Sequence, residues 1–442
     1  MVRQLALLTM SLLVAAPALA QSAQVPAPPQ QKPIVIENAV IHPRPGETIE
    51  GPAFIVFENG RIAQIGQGPA PEIPGAQRFN ADGLHVYPSL ISTDTTLGLT
   101  ETASVDVTLD MRELGDFTPE VRAVVAVNPD SDLLPVTRAN GIMLGLTFPT
   151  GGIISGRCSI IRYDGWTWEE MAITPEAGLV INWPRTEPAF FGRGSFRPEG
   201  EGGSPADRFK ETMKKIDDFF DEASAYLKAK EANPSLNTDL RFEAMRSTLE
   251  GRTPVYVRAN SAGQIESAVA WSLKRGLRII IVGGSEADEA AAVLKKHDIP
   301  VIIGGTHRVP TRRHDAYDDA FTLPARLYEA GVRFAIASGA ETAHERDLNH
   351  VAATAAAYGL PRHEALRAVT LSAAEILGIA DQYGSLESGK SATLIVTTGD
   401  PLEITSDTLM AFIDGRNIDL GSRHKRLYDK YLEKYRQLGI IE

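Results

Sequence analysis

From about residue 86 the chain alternates short apolar, strand-like runs with helical stretches, and this alternation restricts its fold more than any other feature. The runs fall at 86–92, 142–148, 159–163, 178–182, 255–259, 279–282, 301–303 and 334–337, and they are rich in Val, Ile and Leu. Strands separated by helices pair in parallel, and eight of them close into a (β/α)8 TIM barrel of the α/β class. The longest intervening helix is expected over 206–230, where Phe209, Met213, Ile216, Phe219, Phe220, Ala223 and Leu227 recur at helical spacing and read as a core stripe. Residues 184–204 are Gly- and Pro-rich with interspersed aromatics, and they follow the fourth run, where a barrel carries its functional loops. This stretch reads either as a surface excursion or as a lid.

The chain's 442 residues leave room for more than a barrel. Ile34-Val35-Ile36, 53–57 and 62–65 are β-branched strand patterns, and Asn59-Gly60 between the last two is a strong hairpin signal. The same texture returns at 392–397 and 409–413, ahead of Asp414-Gly415. A β pattern that opens before the barrel and resumes after it predicts a small β-sandwich made from both chain ends. The resulting division is a signal peptide at 1–20, a polar Pro-rich leader at 21–32, sandwich at 33–84, barrel at 85–383, sandwich at 384–420 and a C-terminal helix within 421–442. That helix sets Leu427, Tyr428, Tyr431, Leu432, Tyr435 and Leu438 on one face, which is expected to pack on the body.

Arg3, the apolar run 5–16 and the small-x-small triplet Ala18-Leu19-Ala20 form a cleavable export signal, too short to span a bilayer. The mature chain is expected to begin near Gln21, in the periplasm or outside the cell. A net charge of −12 argues against nucleic acid or an anionic membrane as the main partner, since both select clustered Lys and Arg. One cysteine, Cys158, allows neither an internal disulfide nor a thiolate metal cluster. Any metal would rest on nine histidines and the carboxylates.

Several segments carry a resemblance. Ile34-Val35-Ile36-Glu37-Asn38-Ala39, Glu58-Asn59-Gly60-Arg61-Ile62, Tyr87-Pro88-Ser89-Leu90-Ile91 and Gly384-Ser385-Leu386-Glu387-Ser388-Gly389-Lys390-Ser391-Ala392 resemble the sheet strands, first barrel strand and closing sheet of the amidohydrolase superfamily, in its imidazolonepropionase-like branch. Gly399-Asp400-Pro401-Leu402, Asp414-Gly415-Arg416 and the helical stretches 361–368 and 370–378 extend the likeness over roughly residues 33–420. The resemblance implies the barrel with its sandwich and hydrolysis of C–N bonds in non-peptide amides, cyclic amides or dipeptides. It also implies one or two divalent metals, held at the strand ends, that activate a water.

The residues at those strand ends depart from that pattern. The family's first strand ends in His-x-His, where this chain has Asp94 and Thr96. Arg258 stands where the fifth strand's histidine belongs, and Val282-Gly283-Gly284 has none at the sixth. At the eighth, Ala337-Ser338-Gly339 lacks the family's acid/base carboxylate, so Gly339 falls at that position. Arginine cannot ligate a cation, but it can pair with Asp94 and fill the space a metal would take. Of the histidines, His307, His314 and His344 fall in loops after the seventh and eighth runs, with Glu101 and Glu341 as nearby carboxylate candidates. A rebuilt zinc or other divalent site would draw on Asp94, His307 and His344.

The expected function is that of an exported amidohydrolase-like pseudoenzyme. It would bind a small molecule or short peptide through Asp94, Arg258 and His307, or pair with a catalytically intact relative. An active hydrolase with a rearranged metal site and a structural scaffold are the alternatives. Homo- and hetero-oligomers both remain open.

Overall fold

The computed structural model describes residues 24–185, 204–310, 312, 315–339 and 341–441. The export signal at 1–20, most of the 184–204 stretch and His314 lie outside them. Two eight-stranded sheets organise the chain. The first contains β1 (Ile34–Ile41), β2 (Ile49–Glu58), β3 (Arg61–Gln67), β4 (Gln77–Asn80), β5 (His85–Pro88) and, from the far end of the chain, β14 (Leu394–Thr397), β15 (Thr408–Ile413) and β16 (Arg416–Asn417). The second is the barrel: β6 (Leu90–Thr95), β7 (Ile142–Thr147), β8 (Ile154–Arg162), β9 (Ala172–Asn182), β10 (Val255–Ala259), β11 (Ile279–Gly283), β12 (Val301–Ile303) and β13 (Phe334–Ile336).

In the end sheet the order is β16-β15-β14-β5-β1-β2-β3, with β4 paired to β1. Alternation along β1 explains its two faces. Ile34 and Ile36 join Ile55, Phe57, Val86, Leu394 and Phe412 in one core, while Val35 joins Phe54 and Val56 against Ala70, Ile73 and Ala76. The β2–β3 turn places Asn59 at φ 50° and Gly60 at φ 78°, the positive dihedrals that Asn-Gly accommodates. Run 86–92, read as one barrel strand, divides here. His85–Pro88 pairs with β1 and β14 in the end sheet, and the barrel begins at Leu90. Pro88 supplies no N–H to prolong a ladder, so the strand stops there.

The barrel strands follow chain order around the sheet. Val257 pairs with Ile181 and Ile281, Ile281 with Val301, and Val301 with Phe334, all in parallel register. These residues are buried, as strands between a filled interior and outer helices must be. One strand breaks the expected all-parallel pattern: β8 runs antiparallel to both β7 and β9. Its connection to β7, residues 148–153, is too short for the crossover of roughly a dozen residues that a parallel return needs, and Gly151 and Gly152 turn the chain at φ 86° and 59°.

Helices cover the outside. Pro205–Ala232 starts on a Ser204/Asp207 capping box and buries Ile216, Phe219, Phe220, Ala223 and Leu227. Phe220 meets Trp271, from the helix Ala262–Arg275, edge-on at 5.0 Å. The C-terminal helix Arg423–Gln437 does not pack its apolar row on the body. Leu427, Tyr428, Tyr431, Tyr435 and Leu438 are exposed, only Leu432 is partly covered, and Arg426 reaches Asp132 at 3.7 Å. Charged neighbours narrow the row below the stripe a packed helix needs, and the tyrosine hydroxyls tolerate water. Among the described residues no helix is long and apolar enough to cross a membrane.

The barrel is not closed by strand pairing. Among the described residues β6 and β13 share no ladder; instead Ile91 N–H donates to Val369 O at 2.8 Å, Thr93 Oγ1 to Ile336 O at 3.5 Å and Ser372 Oγ to Phe334 O at 2.7 Å. Tyr163, just past β8, is fully buried and lies against Gly145 of β7, where a Cβ would overlap its hydroxyl. Gly145→Ala is therefore expected to destabilise the protein by about 1–3 kcal/mol through overpacking. Thermal unfolding checks this: the melting temperature should fall, and Gly145→Ala combined with Tyr163→Ala should cost less than the two single changes summed.

Candidate functional site

Alternate residues of β6 point to the same face, which sets Ser92 and Asp94 in one row as the strand approaches the barrel mouth. Across the mouth, β10 delivers Arg258. The two side chains form a bidentate pair, with Nη2 donating to Asp94 Oδ1 at 2.6 Å and Nη1 to Oδ2 at 3.0 Å. Arg258 is 27% and Asp94 18% exposed, so solvent reaches both. The guanidinium also sits over the ring of buried Phe148 at 4.6 Å, and Phe148 is held edge-on by Tyr256 at 5.4 Å. Burial alone would lower the Arg258 pKa, but the Asp94 carboxylate outweighs it and the net shift is upward. The cation is permanent.

The other strand-end residues behave as follows. Thr96 shares a 2.5 Å hydroxyl hydrogen bond with Thr342. Gly283, at φ 102°, lies so close to Asn260 Oδ1 that a side chain would collide with it. Gly339 sits at φ 119° with open space around it. His307 is on the surface, hydrogen-bonded to Thr354 Oγ1 at 2.8 Å, and burial lowers its pKa. His344 is 59% exposed beside Glu341, at 3.4 Å. Asp94, His307 and His344 thus do not come together as a metal site, because each is engaged with a different neighbour. Among the described residues no three His, Cys, Asp or Glu side chains gather in a group that could hold a metal. The donor set at the mouth does not fit a divalent cation: a guanidinium occupies both oxygens of the one carboxylate there, and a fixed positive charge repels the ion.

A residue that sequence reasoning passed over is central. Glu345, in the 3-10 turn Thr342–Asp347 after β13, is 1% exposed. Burial pushes its carboxyl up to about 7; the Ser92, Thr95 and Ser338 hydroxyls around it favour the charged form, and the Asp94 charge opposes it. Yet among the described residues neither Glu345 oxygen has a hydrogen-bond partner in good geometry, nor do Ser92 Oγ, Ser338 Oγ or Tyr163 Oη. Nothing local announces this burial, since His344, Arg346 and Asp347 flank Glu345 and the turn reads as an exposed polar loop. Glu341, the loop carboxylate that sequence reasoning did select, is exposed.

The raised carboxyl pKa has a definite sign. Between the ordinary glutamate value of 4.5 and about 7 the folded state holds a proton that the unfolded chain releases. Glu345 therefore contributes stability below that window and loses it as pH rises through it, by up to about 3 kcal/mol. In Glu345→Gln this part of the decline in melting temperature from pH 4.5 to 7.5 should vanish; parallel pH profiles for the two proteins would contradict the burial argument.

The sequence profile of the amidohydrolase family matches residues 274–421. The amidohydrolase tasK of Hapsidospora irregularis is 24% identical, with the match covering 87% of this chain and 43% of that protein, so this chain spans less than half of its relative's length. An amidohydrolase structure from Thermotoga maritima MSB8 superposes with a TM-score of 0.76 at 24% identity, covering 87% of this chain and 99% of the other. A prolidase complexed with N-methylphosphonate-L-proline gives 0.55 at 16% identity, covering 88% and 100%. At these identities the structures show a shared fold, and the matched profile lies on the last barrel strands and closing sheet. Residues 274–421 match the amidohydrolase family, and the barrel with its end sheet shares the fold of the amidohydrolase structure from Thermotoga maritima MSB8.

Proposed function

We propose that the barrel mouth binds a short peptide or N-acylated amino acid without cleaving it through a metal-bound water. The observation that carries this reading is the bidentate Asp94–Arg258 pair. A pair made to one carboxylate leaves guanidinium N–H donors for a second, and Arg258 remains partly open to solvent. The remaining guanidinium donors suit the carboxylate that a short peptide and an N-acylated amino acid share. The prolidase neighbour's ligand, a proline derivative, supports the choice of ligand class. Descent from hydrolases of C–N bonds supports the alternative of an active enzyme, and the missing strand-end ligands weigh against it.

Thermal unfolding with a panel of dipeptides and N-acyl amino acids tests the proposal. A ligand at a hundredfold excess over its Kd should add about 2.7 kcal/mol of stability, and Arg258→Ala should remove that protection. Hydrolysis of the same compounds by zinc-supplemented protein, abolished by Asp94→Asn, would replace the binding reading with the enzymatic one.

A further inference from the structure

At the seam between β6 and β13, buried groups are out of balance in charge and in hydrogen bonding. Asp94 and Glu345 bring two carboxylates into electrostatic contact, and the single guanidinium beside them, Arg258, is taken up by Asp94. Among the described residues no ion pair reaches Glu345, although its side chain is 1% exposed. A buried carboxylate without a counter-charge is strongly disfavoured. The polar side chains that face the Glu345 carboxyl, Ser92, Thr95 and Ser338, all present hydroxyl oxygens. Tyr163 faces Ser92, yet among the described residues the Ser92, Ser338 and Tyr163 hydroxyls and both carboxyl oxygens form no hydrogen bond in good geometry. Ser92 and Tyr163 are fully buried and Ser338 nearly so. Orphaned buried polar atoms are uncommon in folded proteins, and five in one place mark a guest that joins them.

We propose that these oxygens bind one alkali-metal cation, Na⁺ or K⁺, against Glu345 at the barrel seam. The charge fits, since one monovalent cation neutralises the one carboxylate left unpaired. Hard, spherical cations take neutral and anionic oxygens together, whereas a transition metal would call for imidazole or thiolate, which this cluster lacks. A proton cancels the charge below the pH at which Glu345 ionises, and the cation takes its place above it, where the carboxylate has no other counter-charge. A cation engages several oxygen lone pairs at once and leaves the hydroxyl hydrogens free to turn toward the carboxylate. The site is distinct from the ligand-binding reading of the mouth and does not depend on it, since Glu345 is sealed from solvent.

Thermal unfolding of the full chain at pH 8, in sodium, potassium and N-methyl-D-glucamine chlorides at matched ionic strength, tests the proposal. At least one alkali chloride should raise the melting temperature saturably, on the order of 3–5 °C above the organic cation. Glu345→Gln should abolish the difference between salts, and Ser338→Ala should shift its half-saturation to higher concentration. Should Glu345→Gln fail to fold, Ser338→Ala and Ser92→Ala carry the test. Equal melting temperatures in all three salts would overturn the proposal, as would an unchanged cation response in the variants. Anomalous scattering from rubidium-soaked crystals supplies a direct readout: a peak beside Glu345 is expected, and its absence counts against the site.

Discussion

A barrel strand buried on both faces has to satisfy its backbone edge, and in this protein the edge between first and last strands is satisfied without strand pairing. Ile91 turns to Val369, Thr93 to Ile336 and Phe334 to Ser372, so closure is made by side chains and by chain from the helical region after β13. Much else follows from that opening. A seam without a ladder leaves room for the turn carrying Glu345 to reach the hydroxyls of β6 and of the β13 exit. Gly145 in turn gives Tyr163 space to bring its hydroxyl against Ser92. The polar cluster is a consequence of how this barrel closes.

The mouth above it carries a different balance of forces. In a metal-dependent hydrolase, several imidazoles and carboxylates hold a cation whose charge acidifies water. Here the positive charge is a guanidinium, permanent and planar, supported by the Phe148 ring and satisfied by Asp94. Such a group recognises carboxylates well but cannot generate hydroxide at neutral pH, because it does not bind water as a Lewis acid. An arginine at this strand end therefore suits carboxylate recognition. That chemistry is the ground of the binding proposed for the mouth.

Much of the architecture was legible from periodicity. The eight apolar runs that form the barrel, the core stripe of the helix Pro205–Ala232 and the Asn59-Gly60 hairpin all depend on local pattern. Misreadings arose where local pattern is silent about partners. An apolar run such as β8 has the same composition in either direction, and only the short 148–153 connection sets its orientation. Run 86–92 is continuous in sequence but serves two sheets, because β5 finds β1 and β14 while Leu90 onward finds β7. The C-terminal helix has an apolar row, but a row creates no surface for it to meet.

The chemistry divides in the same way. The chain alone carries which residue types stand at the strand ends, among them no imidazole set of the kind that holds a cation, since chemical identity needs no coordinates. It also determined the barrel with a sheet drawn from both chain ends, because alternation of strand and helix patterns is a property of the chain. It took the packed fold to bring Asp94 and Arg258, 164 residues apart, into bidentate geometry, and to bury Glu345 rather than expose it. Burial and pairing across such separations depend on where distant segments pack, and a polar turn reads the same in sequence whether it faces water or a barrel seam.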